Sequence, residues 1–374
     1  MLRLSKSIVG IEEANAVKNV LVNDGYLGMG KEVQEFENEI ANFLDIDSEF
    51  VVCVNSGTAA LHLAVEHSIP KNSNVLVPSL TYLSSYQAIS AAGSNPISCE
   101  VYEDTLTIDL EDAEKKLCSN TKAIMPVHYA SNPGDLKKIY DFAKKHDLRV
   151  IEDAAHAFGC SYESKKIGSF GDLICFSFDG IKNITSGEGG AIVSNDKKTI
   201  NLIKDARLLS IEKDTNKRYN GERSWDFDVK YQGYRYHMSN IFAAIGRVQL
   251  RRFVDEFSLK RKKLYNIYKN NLSNCPNILL QKTNETNEII PHIFPIRVQS
   301  GMRNELKLIL ENHKIPTGIH YKPNHLLTFF GNGKLSLPVT EKLYKELLTL
   351  PLHPEIKEDE VDFICNTIKK HMKK

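Results

Sequence analysis

Excess charge of either sign is missing from this sequence. Its 374 residues hold 48 lysines and arginines against 47 aspartates and glutamates. No run of like charge is long enough to act as a nucleic-acid or membrane arm, so neither partner is expected. Apolar runs of membrane-spanning length are absent too. The N-terminal stretch MLRLSKSIVGIEEANAVKNVL carries polar side chains every few positions, where a secretory leader needs an apolar core. Tryptophan occurs once, at Trp225, and cysteine only seven times, at 53, 99, 118, 160, 175, 275 and 365. An odd, widely spaced set, partly inside apolar stretches such as Val51–Val54, excludes a dense disulfide framework and predicts buried thiols in a reducing cytoplasm. Internal repeats, low-complexity segments and metal-ligand spacings are likewise lacking.

What is present is alternation. Short β-branched runs at Val51–Val54, Asn74–Val77, Ala123–Val127, Arg149–Glu152 and Leu173–Phe178 are separated by amphipathic stretches at Ala59–His67, Tyr82–Ala92, Asp135–His146 and Lys197–Leu208. That order predicts an α/β domain with a mainly parallel sheet covered by helices. In such folds ligands gather beyond the carboxyl ends of the strands. From Ser239 the spacing changes to one long helix, a lever running into a Lys- and Arg-rich stretch near Leu259–Leu272. A smaller α/β unit follows, with a strand at His292–Val298 and helices at Arg303–His313 and Lys357–His371. The chain is therefore divided into a large domain over residues 1–252 and a smaller one over 253–374, in keeping with its length.

Three strand-to-loop junctions carry candidate chemistry. In Val51-Val52-Cys53-Val54-Asn55-Ser56-Gly57-Thr58-Ala59-Ala60-Leu61 a strand breaks at a small polar turn and restarts as a helix. The free N–H groups there, with the hydroxyls of Ser56 and Thr58 and the close approach Gly57 permits, suit a phosphate. An ordinary N-cap is the bland alternative. In Val150-Ile151-Glu152-Asp153-Ala154-Ala155-His156 an apolar strand ends in two acids. Asp153 is placed to hold a proton on a heterocyclic nitrogen, whereas Glu152 points to the other side of the strand. It could equally cap a turn, and a helical step of three would bring His156 to the same place. The third junction, Phe176-Ser177-Phe178-Asp179-Gly180-Ile181-Lys182-Asn183-Ile184-Thr185-Ser186-Gly187-Glu188-Gly189-Gly190, places Lys182 in a polar loop before another strand. A free lysine titrates near 10.4 and is a poor nucleophile at neutral pH; burial lowers that value and makes it reactive.

In this order the three segments resemble the sugar-aminotransferase family named after DegT, DnrJ, EryC1 and StrS, within the fold-type I pyridoxal-phosphate enzymes. The likeness extends through YLGMGKEVQEFE (26–37), VPSLTY (77–82), GYRYHMSNIFAAIG (233–246), GIHYKP (318–323) and LPLHP (350–354). It implies an aspartate-aminotransferase-like fold and pyridoxal 5'-phosphate as cofactor, with pyridoxamine phosphate as the intermediate form. Lys182 then holds the cofactor covalently and Asp153 faces its ring nitrogen. Ser56, Gly57, Thr58 and Ser177 bind its phosphate, Tyr82 stacks on the ring, and His156 bonds to the ring hydroxyl where many relatives have glutamine. At the place of a family asparagine that reaches the partner subunit's cofactor phosphate stands Arg235, with His237 two residues on. An arginine there suits either that phosphate or a nucleotide diphosphate.

The resemblance further implies a homodimer with shared active sites and two half-reactions, in which L-glutamate loads nitrogen onto the cofactor and a nucleotide-linked keto sugar receives it. His320 and Tyr321 of GIHYKP are expected at the substrate. The segment DTNKRYNGERSWDFDV (214–229) supplies Arg218, Tyr219, Arg223 and Trp225, a mix suited to a diphosphate and a flat base, or alternatively a surface loop with Trp225 anchored in the core. The whole is most similar to enzymes aminating C4 of a 4-keto-6-deoxyhexose nucleotide, dTDP-linked, for surface polysaccharide or O-antigen. GDP-perosamine synthesis or C3 amination are the rivals. Lys182 disfavours a family dehydratase, in which histidine replaces the lysine, and Lys182 with Asp153 disfavours a non-catalytic regulator. A dinucleotide fingerprint fails because Gly28-Met29-Gly30 lacks a preceding strand and a third glycine.

Overall fold

The computed structural model describes residues 2–331 and 334–372. Its strands are β1 Val51–Val54, β2 Asn74–Pro78, β3 Asn95–Cys99, β4 Thr121–Ile124, β5 Arg149–Asp153, β6 Ser161–Tyr162, β7 Lys165–Lys166, β8 Leu173–Ser177, β9 Gly190–Val193, β10 Ile278–Leu280, β11 Phe294–Val298 and β12 Leu347–Leu350. The α-helices are α1 Ile11–Asn19, α2 Lys31–Leu44, α3 Gly57–Ser68, α4 Leu83–Ala91, α5 Leu110–Lys115, α6 Leu136–Lys145, α7 Lys197–Ala206, α8 Asp214–Tyr219, α9 Asn240–Arg252, α10 Ser258–Leu272, α11 Arg303–Asn312, α12 Pro338–Glu346 and α13 Glu358–His371.

Among the described residues a seven-stranded sheet runs in the order β1-β9-β8-β5-β4-β2-β3. Only β9 opposes its neighbours; the pairs β2/β3, β2/β4, β4/β5 and β5/β8 are parallel. Alternation along each strand feeds two cores, one per face. On β1, Val51 and Cys53 join one, Val52 and Val54 the other; on β8, Ile174 and Phe176 face away from Leu173 and Cys175. Both faces are covered, which is why these strands are continuously apolar.

The carboxyl ends of β1, β2, β5 and β8 lie along one edge, and β9, running the other way, begins there. The strand expected over Ala123–Val127 ends instead at Ile124, because Pro126 has no N–H for a ladder; Val127 keeps a single bridge to Asp153. β3 was not evident in the sequence. Its Pro96 is tolerated because the strand sits at the sheet edge.

Helix α9 is capped by Ser239, whose hydroxyl oxygen accepts from the N–H of Phe242 at 3.3 Å. It passes through a π-helical turn at Phe253–Phe257 directly into α10, making the expected long lever. Phe253 and Phe257 still pack into the core of the large sheet, whereas Leu264, Tyr268 and Leu272 belong to the second core, built on the antiparallel sheet β10-β11-β12 with α11 and α13. The N-terminal segment crosses between the two: Leu2 packs on the second core, the Leu4 carbonyl accepts from Leu352 N–H at 3.0 Å, and Ile8 packs on the first. No disulfide forms among the described cysteines. All are buried except Cys118, which is exposed, contrary to the expectation for that thiol. No described helix is long and apolar enough to cross a membrane.

Candidate active site

At the strand-end edge, between the two units, lies a cavity of about 410 Å³, within the range of small-ligand sites. The three junctions singled out in the sequence converge on it. Its wall includes Ser56, Gly57, Thr58, Tyr82, Asp153, His156, Ser177, Lys182, His320 and Tyr321.

The turn after β1 is built tightly. Ser56 caps α3, accepting from Ala59 N–H at 3.1 Å. The first amides of α3, from Gly57 on, have no intrahelical acceptor and point toward the cavity end of the helix. A Cβ on Gly57 would lie 2.8 Å from that of Ser177 on β8, so glycine is what lets the two chains meet. The Thr58 hydroxyl bonds to Ser84 at 2.9 Å. Backbone amides, a helix N-terminus and clustered hydroxyls are the groups that could hold a phosphate there.

Asp153 closes β5 with its carboxylate buried. Oδ2 accepts from the Ser85 hydroxyl at 2.7 Å and Oδ1 from Ala155 N–H at 3.2 Å. Glu152 points away, as period two requires. It lies 3.0 Å from His128 Nε2 and accepts from the Tyr140 hydroxyl at 2.5 Å, outside the cavity. Lys182 enters from the loop after β8. Burial draws its amine down to about 8, against the pull of Asp153 and Asp179 in the other direction. An amine so placed is half free base at about pH 8, well below the ordinary lysine range.

Histidines on the wall are held neutral. For His156 burial acts first, then the Lys182 charge, then His320 and His128. Burial and Lys182 bring His320 to about 4. His156 accepts at Nδ1 from Ala130 N–H (3.3 Å) and shares a 3.1 Å bond at Nε2 with the Tyr321 hydroxyl. Tyr82 is 58 % exposed and its ring stands 5.5 Å from that of Tyr321, leaving a face open to the cavity.

Other expected residues are not brought to this cavity. Tyr219 is tied into a buried network: its hydroxyl donates to Glu37 and accepts from Arg207 at 2.9 Å. Both functions of its hydroxyl are thus used within the fold. Arg218 is paired with buried Asp214 at 2.8 Å. Arg223 and Arg235 are exposed away from the cavity of their own chain. Trp225 is 85 % exposed and so does not anchor its loop in the core as the bland reading expected. His237, beside Arg235, is driven to about 4 by burial and the charges of Arg235, Arg207 and Arg218.

Several wall residues escaped the sequence reading. Asp179 and Glu188 flank Lys182 within a segment already singled out, and burial with Asp179 raises the Glu188 carboxyl. Ser85, one turn into α4, stands behind the wall and bonds to Asp153. His292 was visible only as the polar start of an apolar run, and Leu4 and Ser5 carried no signal at all.

Residues 8–369 match the profile of the DegT/DnrJ/EryC1/StrS aminotransferase family. Among similar proteins are the spore coat polysaccharide biosynthesis protein SpsC of Bacillus subtilis (32 % identical, covering 98 % of this chain and 96 % of that one) and the GDP-perosamine synthase of Escherichia coli O157:H7 (34 %, covering 96 % and 94 %). A third is the dTDP-4-dehydro-2,3,6-trideoxy-D-glucose 4-aminotransferase of Saccharopolyspora spinosa (31 %, covering 99 % and 96 %). A putative sugar aminotransferase from Streptococcus pneumoniae, solved in its PMP form, superposes with a TM-score of 0.91 at 26 % identity, covering 99 % of this chain and 98 % of that one. Its PLP form gives 0.89.

Proposed function

Because the chain belongs to the DegT/DnrJ/EryC1/StrS aminotransferase family, whose members are pyridoxal-phosphate-dependent sugar aminotransferases, we propose that it carries an amino group from L-glutamate to C4 of a nucleotide-linked 4-keto-6-deoxy sugar. The nucleotide in this reading is dTDP, the product dTDP-4-amino-4,6-dideoxyglucose, and the use a surface polysaccharide. The observation that carries it is the meeting of three groups in one cavity: the Lys182 amine, the Asp153 carboxylate and the phosphate cradle at Gly57.

The residues fit the cofactor. Gly57, Thr58 and Ser177 take its phosphate with Ser56, Asp153 its ring nitrogen, Tyr82 one face, His156 its hydroxyl and Lys182 its aldehyde. Bound pyridoxal phosphate supplies an electron-withdrawing ring that stabilises negative charge on the reacting carbon. The chain's own part is to hold and move protons. Lys182 Nζ takes a proton from one carbon and returns it to another, and Asp153 keeps a proton on the ring nitrogen through its charge. Neutral His156, His320 and Tyr321 line the same cavity with groups able to donate to a carboxylate and to exchange hydrogen bonds with sugar hydroxyls. The donor's keto acid leaves before the sugar enters, so kinetics are ping-pong.

Exposed Arg235 supports a homodimer in which it serves the second copy's phosphate or diphosphate. Two relatives support nucleotide-sugar amination, one named as a dTDP-linked 4-aminotransferase and one as a GDP-perosamine synthase. The test incubates the enzyme with dTDP-, GDP- and UDP-linked 4-keto-6-deoxy sugars and glutamate, and follows amino-sugar formation. Amination of the dTDP sugar is expected. Preference for the GDP sugar replaces the nucleotide, and turnover of none sinks C4 amination.

A further inference from the structure

His292 precedes β11 and reaches the cavity from the second unit, where its Nε2 lies 3.5 Å from Lys182 Nζ. Its backbone is fixed at both ends. The His292 N–H donates to Ser131 Oγ at 3.0 Å, and Ser131 in turn donates to the His156 carbonyl. The His292 carbonyl accepts from Arg261 Nη1 at 3.3 Å; the same nitrogen reaches the Pro291 carbonyl at 3.1 Å, and Nη2 reaches the Lys182 carbonyl at 3.4 Å. Arg261, buried on α10, makes no ion pair with a carboxylate among the described residues. Its guanidinium instead ties together the backbones of the two residues whose side chains meet in the cavity.

The ring nitrogen on the far side of His292, Nδ1, is buried and unpartnered. A neutral imidazole carries one proton. Placed on Nδ1, that N–H would be buried without an acceptor; placed on Nε2, it meets the lone pair of an unprotonated amine. A second proton on His292 is opposed by burial first, then by Lys182, His156, Arg261 and His320.

We propose that His292 is a positioning residue that receives the free side chain of Lys182, donating its Nε2–H to the amine and so favouring the free base over the ammonium between half-reactions. At 3.5 Å the contact is long, and the amine leaves it readily. The other groups facing Lys182 are Asp153 and Asp179, which favour the ammonium, neutral His156 and His320, Tyr82 and Tyr321, and Glu188 at the rim; His353 lies beyond Arg261. None of these places an N–H on Nζ. The inference rests on Lys182 being the cofactor lysine, and its test separates the two.

In the cofactor-free protein, the pH dependence of Lys182 labelling by an amine-directed reagent, read by peptide mass mapping, gives the titration midpoint. His292→Phe should raise that midpoint by about one unit, a tenfold smaller free-base fraction at neutral pH. A midpoint unchanged or lowered overturns the proposal, the second because it makes His292 an acceptor for the ammonium. Should that variant not fold, nitrogen-15 NMR of the wild-type, cofactor-free protein decides: the Nε2–H tautomer is expected above about pH 8, where the Lys182 amine is the free base, and the Nδ1–H tautomer there overturns the proposal. Borohydride fixation of pyridoxal phosphate on another lysine would sink the Lys182 reading and leave the free-amine titration standing.

Discussion

The hydroxyl of Ser85 donates to Oδ2 of Asp153 at 2.7 Å, so a serine one turn into α4 decides how the carboxylate at the end of β5 is turned. With Ala155 N–H on the other oxygen, the acid reaches the cavity in one orientation. Asp153→Asn keeps the shape and removes the charge that holds a proton on the ring nitrogen. Multiple-turnover amino-sugar formation should fall by about a hundredfold or more. Ser85→Ala should cost roughly 1.5 kcal/mol of orientation, read as about a tenfold weaker cofactor affinity in equilibrium dialysis. Equal affinity in wild type and Ser85→Ala would show that Asp153 needs no such support.

Gly57 is the point at which α3 and β8 touch. A methyl group there meets the Ser177 side chain at 2.8 Å, with the Ser177 Cα at 3.3 Å, and because Ser177 sits in a buried strand it is not free to yield. Gly57→Ala should therefore push the helix start away from the strand and open the phosphate cradle. Pyridoxal phosphate binding should weaken by at least about tenfold, at the usual overpacking cost of 1–3 kcal/mol, roughly. Pyridoxal without its phosphate should be affected far less, and equal losses for both would place the phosphate elsewhere.

Gly57, Asp153 and Lys182 were legible because each stands at the end of an apolar strand or in the loop that follows it, where local spacing marks both the strand and the break. The parallel sheet was legible for the same reason, since strands buried on both faces read as continuous β-branched runs. His292 and Ser85 were not. Ser85 looks like any polar residue in a helix until α4 is laid against β5, and His292 acts from a unit whose approach to the first is a matter of tertiary packing. The placement of the segment 214–229 was not legible for a further reason: composition does not reveal which of its side chains are already satisfied. Tyr219 has two buried partners, while Trp225, sixth in line after it, has almost none of its surface covered.

That contrast yields opposite outcomes within one segment. Tyr219→Phe strips a hydroxyl from the buried Glu37–Arg207 pair and should lower stability by about 1–3 kcal/mol, seen as a reduced urea midpoint, with KM for the sugar nucleotide unchanged. Trp225→Ala removes an exposed ring and should leave the urea midpoint alone. If the ring stacks on the nucleotide base, its loss raises KM without changing kcat; an unchanged KM would leave Trp225 without a substrate role.

Arg235 is exposed, and the Asn55 side-chain amide donates to its carbonyl at 3.4 Å, which fixes the backbone and leaves the guanidinium outside its own cavity. Service to a second copy is testable by complementation. Arg235→Ala and Lys182→Ala should each be nearly inactive alone. Mixed and allowed to exchange subunits, they form heterodimers with one intact site, and activity should reappear. Activity that stays absent after confirmed exchange would mean that Arg235 acts within its own chain or not at all.

Lys182 ties function to pH through its lowered proton affinity. The amine changes from its ordinary 10.5 to about 8 in the folded protein, chiefly through burial. Below about pH 8 native and unfolded chains both hold the proton, and the penalty of a buried ammonium is fully present. Between that value and about 10.5 the unfolded chain binds more protons than the native one, so this group makes stability rise with pH across the window and flatten above it. Uptake of pyridoxal phosphate by the cofactor-free protein needs the free base and should accelerate through the same midpoint. Lys182→Met should abolish covalent uptake and remove that rise from the urea-unfolding free energy, leaving the protein more stable than wild type near neutrality. If the wild-type and Lys182→Met stability profiles run parallel from about pH 7 to about pH 10, the amine is solvated and its reactivity has another source.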